Sequence, residues 1–140
     1  YDGKILLKDK DHMILSKSLL NLVNQLKDIG KEVYLVSPIQ VPLYELPQDL
    51  SRLLKFKHID KQELSKMLKV NRNIYENNYG KVNDFFKKNL KNNYIDLSNV
   101  QCDQSYCYYS NKNGLFFADG SHISKNGAKL FSKKFEKLFK

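Results

Sequence analysis

The residues best equipped for chemistry lie near the C-terminus, in the run Asp119-Gly120-Ser121-His122. A histidine serves as a general base only when its tautomer and orientation are fixed, usually by a carboxylate on the far ring nitrogen. Three positions of separation in a tight loop let one turn present both groups, with Gly120 easing the bend. Such a pair would be the acid–base half of a serine-dependent O-acyl transfer or ester hydrolysis. Taken alone, the D-x-x-H pattern is weak, because surface loops contain it by chance. The competing reading makes His122 a buried or helix-capping histidine. His12 and His58 have no carboxylate at comparable spacing and read as surface residues.

Two further residue types bear on chemistry. Cys102 and Cys107 are the chain's two cysteines. A metal site needs three or four clustered ligands, and no histidine or third cysteine adjoins them; a C-x-x-C redox motif has different spacing. The pair reads as a short local disulfide, which implies an oxidising compartment and stabilises by roughly 2 kcal/mol. Two unpaired thiols in a reducing cytosol are the alternative. The formal net charge of +9 raises nucleic-acid binding as a possibility. The excess is lysine, however, and Arg52 and Arg72 are the only arginines. Arginine is the residue favoured for bidentate phosphate and base contacts. Lysines such as Lys125, Lys129, Lys133 and Lys137 recur along a helical face, as on a solvated surface.

The elements that must position these groups follow from the pattern of apolar residues. With 140 residues and 41% hydrophobic content, the chain suffices for one ordered core. No apolar run approaches the ~20 residues of a membrane span, and no leader peptide is visible, so Tyr1 reads as the start of an ordered fragment. Leu15, Leu19, Leu22, Val23, Leu26 and Ile29 predict a helix over 14–29, closed by Gly30 as a left-handed cap. Glu32–Ser37 reads as a strand, and Lys4–Leu7 as an edge strand or an extended lead-in. Pro38, Pro42 and Pro47 mark a loop after the carboxyl end of that strand, where open α/β sheets place ligands.

Further on, Asp60 with Glu63 offers a capping box. A long helical stretch follows through Leu64, Met67, Leu68, Ile74 and Tyr75, with a break expected at Gly80 before a helix over 82–90. Tyr94–Leu97 reads as a second strand. A hairpin is expected around Asn113-Gly114, flanked by Tyr108-Tyr109 and Leu115–Phe117. Ser124 should cap a final helix with Ala128, Leu130, Phe131, Phe135 and Leu138 on its inner face. One compact unit is expected.

The run from Cys102 through Cys107, Gly114-Leu115-Phe116-Phe117-Ala118 and Asp119-Gly120-Ser121-His122-Ile123-Ser124 to Gly127-Ala128 resembles the last block of the SGNH (GDSL-like) hydrolase superfamily. It is most similar to the SGNH domains fused behind acyltransferase-3 membrane proteins, which O-acylate bacterial surface polysaccharides. Upstream, the helix, Gly-Lys, strand and Pro-Ile-x-x-Pro stretch within Leu19–Val41 resembles the same family. The resemblance implies a three-layer αβα, flavodoxin-like α/β fold, with residues 1–140 as the C-terminal part of a single, N-terminally truncated domain. It implies that His122 is the general base, oriented by Asp119, and it calls for no cofactor or metal.

The resemblance also requires a serine in a Gly-Asp-Ser block, and oxyanion donors in glycine and asparagine blocks. Ser16, Ser18, Ser37, Ser51, Ser65, Ser98, Ser105, Ser110, Ser121, Ser124 and Ser132 all lack that context. Ser121 adjoins His122, but neighbours in a tight loop seldom point their side chains together. With two clear strands where about five are usual, the nucleophile is expected outside this fragment, which by itself should be silent. Three readings stay open: an O-acyltransferase domain, an esterase, or a binding module that lost its nucleophile. For the first, the implied partners are an acyl donor, a carbohydrate acceptor and a fused transmembrane domain on the extracytoplasmic side, with no nucleic acid. Tyr106, Tyr108 and Tyr109 could stack on a sugar or could simply pack the hairpin.

Overall fold

The computed structural model describes residues 9–42, 44–56 and 66–138. In chain order its elements begin with α1 (Asp9–Asp28), β1 (Leu35–Val36), α2 (Leu46–Phe56), β2 (Lys69–Asn71) and α3 (Arg72–Tyr75). A π turn over Glu76–Gly80 leads into α4 (Lys81–Leu90), then β3 (Tyr94–Ile95) and α5 (Ser98–Gln101). β4 (Tyr106–Tyr108), β5 (Ser110–Asn111), β6 (Gly114–Leu115) and α6 (Lys125–Ser132) complete the order before a last 3-10 turn over Glu136–Leu138. The chain divides into two compact units, Tyr1–Pro38 with Glu76–Asp96, and Ile39–Tyr75 with Leu97–Lys140.

In the first unit α1 presents Leu19, Leu20 and Val23 to Phe86, Leu90 and Tyr94. Its end is a Schellman closure: Gly30 takes φ 78, its N–H donates to the Lys27 carbonyl at 2.8 Å, and Lys31 N–H donates to Leu26 at 3.0 Å. A side chain at Gly30 would pay for the left-handed backbone, which is why glycine follows the last apolar residue. The chain then enters β1, which runs parallel to β3 with Leu35 opposite Tyr94 and Val36 opposite Ile95. Ser37 N–H extends the ladder to the Ile95 carbonyl at 2.9 Å. The Tyr94 hydroxyl donates to Asn83 at 2.6 Å, so the ring is buried with its polar end satisfied. Leu15, Leu22 and Ile29, expected on the apolar face of the first helix, are 60%, 50% and 69% exposed.

The second unit is built on Leu46, Leu50, Tyr109, Phe116 and Phe117. β2 pairs antiparallel with β4, with Val70 opposite Cys107. The Cys102–Cys107 disulfide is formed, and both cysteines are buried. β5 and β6 make a hairpin with Asn111 opposite Gly114. Its two turn residues are therefore Lys112-Asn113, and Gly114 opens the returning strand at φ 128. α6 closes on this hairpin through Gly127. A β-carbon there would stand 2.1 Å from the Phe116 carbonyl oxygen and 2.8 Å from Ile123 Cγ2.

Several expectations shift. The two strands shorten to Leu35–Val36 and Tyr94–Ile95. Pro47 lies in the first turn of α2 rather than in the loop, a position where proline loses no helical hydrogen bond. The helix expected through Met67, Leu68, Ile74 and Tyr75 is helical at Met67 and again at Ile74 and Tyr75 in α3, but between them Lys69–Asn71 forms β2, because it finds a ladder on the disulfide-tied β4 and local propensity yields to tertiary pairing. Gly80 does not break its helix: it is right-handed at φ −56 and ψ −51, and the chain enters α4 through the π turn. On α6 it is Gly127 that faces inward with Phe131, while Ala128 is exposed. The lead-in at Lys4–Leu7, the Asp60–Glu63 capping box and Leu64 lie outside the described residues.

Gly127→Ala is expected to destabilise the domain by at least about 1–3 kcal/mol, as for overpacking against rigid backbone, and a melting curve matching wild type would refute the close approach. Replacing Cys102 by serine should cost about 2 kcal/mol, read as a lowered midpoint in denaturant. An unchanged midpoint would show that the bridge adds no stability.

Candidate active site

The loop carrying Asp119 and His122 is tied at its base before any catalytic question arises. Phe117 pairs with Ile123 in an antiparallel bridge. Ala118 N–H donates to the His122 carbonyl at 2.8 Å, and Ser124 N–H to the Phe116 carbonyl at 2.9 Å. Phe117 is 1% exposed and meets Tyr109 edge-on at 6.1 Å, which roots one leg of the loop in the core. The other leg runs into α6. Ser124 caps that helix, accepting from Gly127 N–H at 3.1 Å while its hydroxyl donates to the Leu115 carbonyl at 2.6 Å.

Inside the loop Asp119 is the organising group. Its Oδ1 accepts from Ser121 N–H at 2.8 Å and His122 N–H at 2.7 Å, and its Oδ2 lies 2.7 Å from His122 Nδ1. The two backbone amides and the imidazole hold its carboxyl down at about 2. The aspartate is therefore an anion throughout the physiological range. With Nδ1 engaged, Nε2 is directed away from Asp119, and the imidazole side chain is 80% exposed. This geometry sets a neutral histidine as the Nδ1–H tautomer with a free basic lone pair on Nε2.

Ser121 lies on the other side of that arrangement. Its hydroxyl is 3.4 Å from Asp119 Oδ1 and 3.5 Å from His122 Nδ1, so it stands beside the carboxylate and not before Nε2. Gly120 does not take a left-handed backbone. What its missing side chain provides is room, since a β-carbon would stand 2.7 Å from Glu45 Oε1. Its N–H donates to Glu45 Oε2 at 3.0 Å. Glu45 went unnoticed in the sequence; the available signal was an acid inside the proline-marked loop at the carboxyl end of β1.

That loop is itself clamped by Gln101 of α5. The Gln101 amide accepts from Gln40 N–H at 2.8 Å and donates to the Gln40 carbonyl at 2.6 Å, a two-point grip buried from water. His12 is partly buried on α1 in the first unit, and His58 lies outside the described residues. Among the tyrosines, Tyr109 belongs to the core at 1% exposure. Tyr108 donates to Asp103 at 2.5 Å, and Tyr106 is 37% exposed with the Lys69 ammonium 4.1 Å above its ring. Hydrogen bonds from Tyr108, Tyr106 and Ser105 lower the Asp103 carboxyl from its ordinary range. Among the described residues no group of three or more His, Cys, Asp or Glu side chains is placed to hold a metal. A cavity of about 530 Å³ is lined by Tyr44, Asp49, Arg52, Leu53, Lys66 and Met67, and neither Asp119 nor His122 borders it.

Comparison with known proteins identifies the fold and the family. A solved structure, the periplasmic domain of the Salmonella ser. Paratyphi A lipopolysaccharide acetyltransferase, shares the fold with a TM-score of 0.63 at 19% identity. The match covers 94% of this chain and 51% of that one, so the chain spans about half the length of its structural relative. No curated protein sequence matches it. The family described as SGNH domain (fused to AT3 domains) matches residues 2–137, almost the whole chain. With its mixed helices and short strands, the chain has an α/β SGNH fold and belongs to the family of SGNH domains fused to AT3 domains.

Proposed function

We propose that residues 1–140 are the C-terminal part of a single SGNH-type domain that transfers an O-acyl group, acetyl foremost, to a bacterial surface polysaccharide. The observation that carries this reading is the 2.7 Å bond from His122 Nδ1 to Asp119 under an imidazole whose opposite nitrogen is open to a reactant. Family membership supports the reaction class, and the likeness to a lipopolysaccharide acetyltransferase periplasmic domain supports acetyl as the acyl group and a polysaccharide as acceptor. A serine from sequence outside these residues serves as the nucleophile, because no serine of the chain stands in a Gly-Asp-Ser block and Ser121 lies beside the Asp119 carboxylate instead of Nε2.

In the first half-reaction His122 Nε2 takes the serine proton as Oγ attacks the donor's carbonyl carbon. The bond to the leaving group breaks, and the same proton passes to that group. The resulting serine ester is attacked by a sugar hydroxyl, whose proton moves to Nε2 and then to the departing serine oxygen. Asp119 stays ionised throughout, holding the ring and stabilising the imidazolium. The domain works on the extracytoplasmic side, tethered through the transmembrane acyltransferase domain that its family carries. The disulfide fits that oxidising setting. No helix among the described residues is long and apolar enough to cross a membrane.

The full-length protein given an acetyl donor should produce acetylated glycan only when polysaccharide is present. Free acetate released at one rate with or without acceptor would replace transfer by hydrolysis. His122→Ala should lower turnover by ~10²–10⁴-fold with an unchanged circular dichroism spectrum; retained transfer would remove His122 from the mechanism. The Asp119 carboxyl is depressed from 3.8 to about 2, so the loop geometry it supports is fully present above pH 3.8 and is lost as pH falls through about 2. Carbon-13 titration of the Asp119 carboxyl should give a midpoint near 2. A midpoint at the ordinary carboxylate value would contradict the hydrogen-bonded loop.

A further inference from the structure

We propose that Glu45 is a positioning residue for the Asp119–His122 pair, holding the catalytic loop by its middle amide; this rests on the acyl-transfer reading above. Three amides follow Asp119 in the loop. Those of Ser121 and His122 bind the Asp119 carboxylate at 2.8 and 2.7 Å, and that of Gly120 is taken by Glu45 Oε2 at 3.0 Å. Two carboxylates thus share the donors of one turn, one from inside the loop and one from a separate element. Asp119 shapes the turn but moves with it. Glu45 ties the turn to a part of the unit 75 residues away in sequence.

The anchor is built to be stiff. Glu45 immediately precedes α2, its carbonyl accepts from Asp49 N–H at 2.9 Å, and the next residue, Leu46, is fully buried. On its other side the loop is gripped at Gln40 by the buried Gln101 amide. Gly120 completes the fit. Any side chain there would begin 2.7 Å from Glu45 Oε1 and would displace the carboxylate, not the backbone. The clearance at Gly120 and the carboxylate of Glu45 are therefore two halves of one contact.

The test uses the full-length protein with an acetyl donor and polysaccharide, comparing Glu45→Ala, Glu45→Gln, Gly120→Ala and the Glu45→Ala/Gly120→Ala double variant. Glutamine keeps an acceptor oxygen and should retain turnover. Alanine at either position should lower kcat by about ten- to a hundredfold, as for a misplaced catalytic group, with KM for the donor unchanged. The double variant should fall no further than the single ones, since one contact is lost in each. Losses that multiply, or equal defects in Glu45→Gln and Glu45→Ala, overturn the proposal. A nitrogen-15 spectrum gives an answer that does not depend on turnover. The Gly120 amide should move upfield in Glu45→Ala and stay in place in Glu45→Gln; an unmoved resonance in both rejects the tether. If the wild-type protein transfers no acyl group, the functional reading fails while this spectrum still decides whether Glu45 holds the loop.

Discussion

A carboxylate in a tight loop has two oxygens and about four lone-pair directions to fill, and Asp119 meets three donors from its own turn. Two backbone amides bond one oxygen and an imidazole nitrogen the other. The backbone bonds fix the loop's curvature, and the side-chain bond fixes the ring. Because the same anion does both, loop shape and histidine orientation are a single property. Lengthening the separation between Asp119 and His122 would leave the ring outside the turn that the carboxylate closes. The depression of the carboxyl to about 2 expresses the same fact electrostatically, since every donor around it favours the charged form.

The surrounding unit makes this small constellation stand still. Phe117 is buried at the base of the loop and Ser124 caps the helix at its exit. Between them Gly127 lets α6 approach the Phe116 carbonyl more closely than any residue with a β-carbon could. Tyr109 and Phe131 pack edge-on against Phe117 and Phe116. The disulfide ties down β4, on which Lys69–Asn71 finds its ladder. Each device is local and modest in energy. Together they remove freedom from a loop whose imidazole ring is exposed to solvent.

The division of labour in the proposed reaction follows from that geometry. These residues offer a base, its orienting anion and a docked support, and Ser121 stands on the carboxylate side, where Nε2 does not reach. A chain that spans about half of its structural relative fits a reading in which the nucleophile and oxyanion donors come from the other half. The local disulfide and the fusion to AT3 domains that marks the family are the two observations on which the proposed extracytoplasmic setting rests.

Much of this was legible before the fold was known. Gly30 after an apolar period announced a helix end, Ser124 announced a helix start, and the cysteine spacing announced a local bridge, because each depends on backbone chemistry within a few residues. The Asp119–His122 pairing belongs to the same class, since only Gly120 and Ser121 separate the two groups along the chain. Long-range contacts were beyond that horizon. Nothing local distinguishes Lys69–Asn71 from a continuing helix until β4 lies beside it. Pro47, read as loop, opens α2 because Leu46 and Leu50 face a core assembled from distant segments. Glu45 acquires a role only when the fold carries it to Gly120. Residue type and spacing determined which groups could react, whereas tertiary packing decided which surface they face and what holds them there, because those contacts join segments that the chain itself keeps far apart.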